Sequence, residues 1–254
     1  MIERNTVLLG DCLELMKDIP DKSIDMILCD LPYGTTNCNW DIIIPFEPLW
    51  EIYKRIIKDY GAIVLFGSEP FSSYLRMSNI KNYKYDWVWN KKKTGNFCLA
   101  KYQPLKIHEN IMVFNKNNYF PIKDNYSKGK FTKSISKKLE TINMTKDLIR
   151  NKQNPNNNGY PKSIIEFRQL INFDYDFGLH PTQKPVKLFK YLIKTYTNEG
   201  CLVLDNCAGS GTTAIACMEL KRDYILMEKE PKYYDIIQKR ITEQHIKQRQ
   251  LELI

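Results

Sequence analysis

Histidine is scarce in this sequence and its cysteines are unpaired. The three histidines, His108, His180 and His245, are widely separated, and none of the seven cysteines (Cys12, Cys29, Cys38, Cys98, Cys201, Cys207, Cys217) has a Cys-x-x-Cys partner. Structural zinc sites commonly use such spacing, and no histidine lies near a cysteine pair, so metal catalysis is not expected and the thiols read as buried and reduced, not as a disulfide framework or zinc site. His108-Glu109-Asn110 lacks the His-x-Glu spacing of a zinc deaminase, and no Pro-Cys-x-x-Cys accompanies it. No apolar run approaches the ~18 residues of a membrane span. Met1-Ile2-Glu3-Arg4 lacks the charged-then-apolar layout of a signal peptide. The expectation is a cytoplasmic chain with neither metal nor membrane partner. At 254 residues, 43% hydrophobic and 26% charged, it can form one large domain or one domain with an insertion.

The positive charge is unevenly placed. Residues 91–190 carry 20 Lys/Arg against 7 Asp/Glu, a surplus of +13, which leaves −4 for the other 154 residues out of the net +9. One basic segment on a neutral-to-acidic body is the footprint of a nucleic-acid binder. A solvated lysine-rich surface has the same composition.

Around Asp30 the residues acquire a chemical purpose. Met26-Ile27-Leu28-Cys29 is short and apolar, so it reads as a buried strand of a parallel sheet. Asp30-Leu31-Pro32-Tyr33-Gly34 then falls at its carboxyl end, where open α/β sheets bind ligands. These residues suit an amino group on a flat heterocycle: Asp30 and the Leu31 carbonyl accept two N–H bonds while Tyr33 stacks on the ring. Turn chemistry alone accounts for the same five residues.

Periodicity places further strands at 6–9, 61–66, 85–90, 109–114, 200–205 and 223–227. Helices are expected at 12–17, 46–57, 71–77, 185–197, 212–220 and from 232 onward. Asp11 is a helix N-cap or a ligand contact, the cap being the commoner role. From 115 to about 178 the chain is polar, rich in Lys and Asn, and weakly periodic, which suggests an inserted small domain. Its aromatics, among them Tyr126, Phe131, Phe173, Tyr175 and Phe177, form a small core or stack on bases, the core being the commoner role for most of them.

A second chemical stretch lies at Val203-Leu204-Asp205-Asn206-Cys207-Ala208-Gly209-Ser210-Gly211-Thr212-Thr213. Strand, glycine loop, helix, strand and acidic residue form the nucleoside-cofactor unit of a doubly wound fold. Gly209 and Gly211 let backbone N–H groups approach a carboxylate or phosphate at a helix N-terminus. Glu228, 17 residues beyond Gly211, stands where a carboxylate holds ribose hydroxyls. The third glycine of a dinucleotide fingerprint is absent, which favours a mononucleoside-type cofactor with a short anionic end.

Taken together, these stretches resemble the β group of amino-methylating DNA methyltransferases, which act on adenine N6 or cytosine N4 and depend on S-adenosylmethionine. Asp30-Leu31-Pro32-Tyr33 is similar to their Asp-Pro-Pro-Tyr motif, with Leu31 for the first proline. Asp205 to Thr213 is similar to their Phe-x-Gly-Ser-Gly loop, with Cys207 for phenylalanine. His180-Pro181-Thr182-Gln183-Lys184-Pro185 resembles the segment lining the methionine end of the cofactor. Gly10-Asp11 and Gly67-Ser68-Glu69-Pro70 match in context.

The resemblance covers about 1–115 and 180–254. It implies an α/β fold with a doubly wound, mostly parallel, seven-stranded Rossmann-like sheet in circularly permuted order. Residues 1–115 would be the catalytic half, 116–179 the target-recognition insert and 180–254 the cofactor half. The implied catalytic residues are Asp30, Leu31, Pro32 and Tyr33. The implied cofactor residues are Asp11, Cys12, His180, Thr182, Lys184, Asp205, Cys207, Ala208, Gly209, Ser210, Gly211, Thr212 and Glu228. Lys91, Lys92, Lys93, Asn96, Phe97 and Lys101 are the candidate DNA contacts. The implied partner is double-stranded DNA, with a second copy of the chain and a cognate restriction endonuclease as further candidates, in a bacterial or phage-type, nucleoid-associated setting. Asp at the head of the motif favours adenine; cytosine N4, RNA, and a non-enzymatic DNA-binding regulator are the alternatives.

Overall fold

The computed structural model describes residues 2–36, 38, 41–95, 97–116, 118–123, 159–171, 174 and 178–252. Asn96, Trp40, Tyr126, Phe131, Phe173, Tyr175, Phe177 and most of the expected insert lie outside them. The chain divides into two units, Met1–Phe120 with Ser163–Ile254, and Pro121–Lys162. In the second, the Lys123 ammonium stands 5.0 Å from the Tyr160 ring centroid.

Among the described residues the first unit has eight strands: β1 (Thr6–Leu9), β2 (Ile24–Cys29), β3 (Ile57–Gly67), β4 (Tyr83–Gly95), β5 (Lys106–Phe114), β6 (Ile164–Glu166), β7 (Leu202–Asp205) and β8 (Asp223–Glu228). Its helices are α1 (Cys12–Leu15), α2 (Phe46–Ile56), α3 (Phe71–Ser78), α4 (Val186–Tyr196), α5 (Thr212–Glu219) and α6 (Pro231–Glu252). One mixed sheet runs β1-β8-β7-β2-β3-β5-β4-β6. Pairing is parallel from β1 through β3, antiparallel on both sides of β5, and parallel again between β4 and β6. The strand beyond the seven expected is the three-residue edge strand β6, held on Val88, Trp89 and Asn90 of β4.

The central strands are apolar because both of their faces are covered. Met26 and Leu28 of β2, Val64 and Phe66 of β3, and Val203 of β7 enter one core, beneath Leu188, Phe189, Leu192 and Ile193 of α4. Ile27 and Cys29, Ile63 and Leu65, and Leu202 and Leu204 enter the other, with Leu49, Tyr53 and Ile56 of α2. This alternation follows from the two-residue repeat of a strand. Each such fully buried aliphatic side chain contributes about 1.5–3 kcal/mol.

The chain leaves β7 towards β8 and leaves β2 towards β3, in opposite directions across the sheet. Their junction is therefore the topological switch point, and the carboxyl ends of β7 and β2 frame a crevice there. Among the described residues no helix is long and apolar enough to cross a membrane, and no group of three or more His, Cys, Asp or Glu is placed to hold a metal.

Candidate active site

Asp30 follows β2 directly, and the next residues are pinned by the fold on both sides. Leu31 is buried in the core at 3% exposure. The Tyr33 ring stacks on Phe71 of α3, with centroids 4.9 Å apart and planes at 26°, and its hydroxyl donates to Asp30 Oδ1 at 2.6 Å. Beyond it, the backbone N–H groups of Gly34, Thr35 and Thr36 all donate to the Asp41 carboxylate, at 2.9, 2.9 and 2.7 Å. Burial works to raise the Asp41 pKa, but these bonds prevail and hold it below the ordinary carboxylate value. Asp41 falls outside every strand and helix expected from the sequence; its anchoring part lies in turn chemistry, where Asp commonly accepts from nearby backbone N–H groups.

Residues far apart in the chain converge on the Asp30 carboxylate. The Lys184 ammonium donates to Asp30 Oδ2 at 2.5 Å and lies 3.4 Å from Glu109 Oε2. Glu109 Oε1 in turn accepts from Lys91 at 3.1 Å. Burial pushes the Asp30 pKa up, against the pull of Lys184. Lys184 is buried too, yet the two carboxylates more than offset its desolvation and raise its pKa, so it stays an ammonium. The sequence marks Glu109 only as a strand residue, and nothing local to it signals membership of this cluster.

The opposite wall comes from the strand–loop–helix unit. Asp205, at the end of β7, accepts from the Thr213 hydroxyl and from the Cys207 N–H at 3.2 Å. Asn206 accepts from the buried Tyr53 hydroxyl at 2.6 Å. Gly209 has φ +53° and donates its N–H to Glu228 Oε2 at 2.8 Å. Gly211 has φ +76°, and a Cβ there would stand 2.9 Å from Ile237 of α6. Both positions demand glycine, one by backbone conformation and the other also by close packing. From α6, Arg240 donates to the Ser210 carbonyl at 2.6 Å. The Thr212 hydroxyl donates to the Lys184 carbonyl at 3.3 Å, tying the glycine loop to the segment that carries the ammonium.

Both walls open on one cleft of about 480 Å³. It is lined by Asp30, Leu31, Pro32 and Tyr33; by Asp11 and Cys12; by His180, Thr182 and Lys184; by Asp205, Cys207, Ala208, Gly209, Ser210 and Thr212; and by Glu228. Gly211 is not among the lining residues. Asp11 also caps α1, accepting from the Leu13 N–H at 2.9 Å. Burial, then Lys184, pulls His180 down to about 4, so its imidazole is neutral at pH 7. The Gln183 side chain is 8% exposed and lines the cleft, and neither its amide nitrogen nor its oxygen has a hydrogen-bond partner among the described residues. A buried amide with both functions unmet is a place for a polar ligand.

Of the candidate DNA contacts, Lys91 lines the cleft beside Glu109. Lys92 pairs with Glu166 of β6 at 2.6 Å, while Lys93 and Lys101 are exposed and Phe97 is 65% exposed. These residues sit on or beside the β4–β5 connection. Because β5 runs antiparallel to β3, that connection leaves the sheet at the same edge as Asp30.

The family model described as DNA methylase, N6_N4_Mtase, matches residues 24–239. Type II methyltransferase M.HinfI of Haemophilus influenzae is 28% identical over 268 residues, covering 94% of this chain and 68% of its own. DNA adenine methyltransferase YhdJ of Escherichia coli (strain K12) is 28% identical over 246 residues, covering 91% of this chain and 80% of its own. Among solved structures, the M1.HpyAVI–SAM complex superposes with a TM-score of 0.62 at 22% identity, over 93% of this chain and 98% of that one.

Proposed function

This chain belongs to the N6/N4 DNA methylase family and is a DNA amino-methyltransferase; from that premise we propose that it methylates the N6 amino group of adenine, with S-adenosylmethionine as donor. One observation carries the proposal: the Asp30–Tyr33 turn and the Gly209 loop, some 175 residues apart, line the same cleft. Adenine is favoured by aspartate at the head of the turn and by the similarity to YhdJ, named as an adenine methyltransferase.

The cleft fits the donor. Glu228 would take the ribose hydroxyls: its two oxygens accept one backbone N–H each, from Gly209 and Glu230, which leaves further lone pairs for a diol. The N-terminus of α5 and the unpartnered Gln183 amide would take the amino-acid end. When bound, S-adenosylmethionine supplies an electrophilic methyl group on a sulfonium.

The chain's own residues do the rest. A base must leave the duplex to reach Asp30, at a cost of a few kcal/mol, and stacking on Tyr33 returns about 1–3 kcal/mol. Asp30 and the Leu31 carbonyl accept the two amino hydrogens, which draws the nitrogen lone pair out of conjugation and aims it at the methyl. No strong base is needed beforehand, because the methylated nitrogen is cationic and loses its proton readily. Orientation and fixed charge supply most of the rate. Lys93, Phe97 and Lys101 would meet the duplex beside the cleft, and the stretch 116–179 would read the target sequence.

Asp30→Ala is expected to abolish methyl transfer to duplex DNA while calorimetric donor binding persists. Turnover like that of the wild type would remove the assignment.

A further inference from the structure

The methyltransferase reading uses Asp30 but leaves the cluster behind it without a task. Asp30 is faced by Tyr33 from its own turn, Cys29 from β2, Lys184 from the segment before α4, Glu109 from β5 and Asp205 from β7, with Lys91 of β4 behind Glu109. Lys184 is the cation bonded to it directly, at 2.5 Å, and that cation is itself 6% exposed. On its other side stands Glu109 Oε2, buried and without a hydrogen bond, 3.4 Å from the ammonium. One ammonium is therefore shared by two carboxylates, and only one of them heads the catalytic turn.

We propose that Lys184 is a positioning residue for methyl transfer: it holds Asp30 as a carboxylate aimed into the cleft, and Glu109 is the counterweight that shares its ammonium. This gives Lys184 a task different from the donor contact that the sequence motif implies, and it rests on the methyltransferase reading above. Without Lys184, burial and the neighbouring Glu109 would both favour the protonated Asp30, whose neutral carboxyl is a weaker acceptor for the one amino hydrogen it takes. Without the Glu109 charge, Asp30 loses a repelling neighbour and keeps the ammonium to itself. The two residues should therefore act on Asp30 with opposite sign.

The test is the pH profile of single-turnover methyl transfer to unmodified genomic DNA, with donor affinity measured alongside by calorimetry. In Lys184→Met the acid limb should move up by about 1–3 pH units, as expected for losing a cation within 4–6 Å of a carboxylate, with donor Kd unchanged. In Glu109→Gln the limb should move down, and Lys184→Arg should restore most of the wild-type profile. A lower rate with an unmoved limb in both variants would reduce the cluster to scaffold and overturn the proposal. So would a weakened donor Kd with an unmoved limb in Lys184→Met, which would make Lys184 a donor ligand. Should Lys184→Met fail to fold by circular dichroism, Glu109→Gln decides: a limb that stays or moves up overturns the proposal. A wild-type chain that transfers no methyl overturns instead the reading on which it rests.

Discussion

Burial opposes charge at both carboxylates that close the central strands, and the chain treats them differently. Asp30 is given an ammonium, whereas Asp205 is given a hydroxyl, an amide N–H and the Cys29 thiol, and burial pushes it up to about 7. A carboxyl raised in the folded state binds a proton that the unfolded chain has already released, so its contribution to stability is full below the unfolded pKa and declines as pH rises towards 7. The slope reaches about 1.4 kcal/mol per pH unit for one proton. Asp205→Asn should remove that slope between about pH 4 and 7 relative to the wild type, read from denaturant midpoints across the range. Parallel pH profiles for the two proteins would contradict it. Such differences between similar residues are not legible in sequence, because they depend on partners such as Lys184, which is 154 positions from Asp30.

At the scale of elements, much was legible where a local pattern carries the signal. The apolar runs at β2, β7 and β8 and the helical spacing of α2 and α4 each lead to the observed element within a few residues. Departures occur where tertiary pairing decides. β6 is three residues in a polar stretch, too short for any periodicity, and exists because β4 offers it an edge. β3 begins at Ile57, directly after α2, although Lys58 and Asp59 are poor strand signals. The Asp30–Tyr33 turn is a similar case: its residues were recognisable, but its anchor Asp41 was not. Asp41→Ala leaves three backbone N–H groups without their acceptor, a cost of about 1–3 kcal/mol in stability. It should also slow methyl transfer more than it weakens donor binding. An unchanged denaturant midpoint and an unchanged single-turnover rate would show that the turn holds its shape without Asp41.

On the whole molecule, charge and topology agree. The basic surplus of residues 91–190 includes exposed Lys93 and Lys101, and the connection that carries them leaves the sheet at the edge where Asp30 lies. Neutralising phosphates releases counterions, so affinity for duplex DNA should fall steeply with salt. In Lys93→Glu with Lys101→Glu, the slope of log affinity against log salt should shrink by about one for each phosphate that is no longer neutralised. Donor affinity should stay as in the wild type. A slope that does not change would move the DNA surface elsewhere. The cleft joins the two halves of the chain, and its existence was foreseeable only from two motifs read together, since each alone fits a plain turn or a generic nucleoside loop.

The most direct measurement is the nucleoside composition of duplex DNA incubated with the wild-type chain and S-adenosylmethionine, digested and resolved by mass spectrometry. N6-methyladenine, absent when Asp30→Ala is used, is the expected product. Methylcytosine alone would overturn the adenine assignment, and DNA recovered without any methylated base would contradict the joint use of this cleft by donor and base.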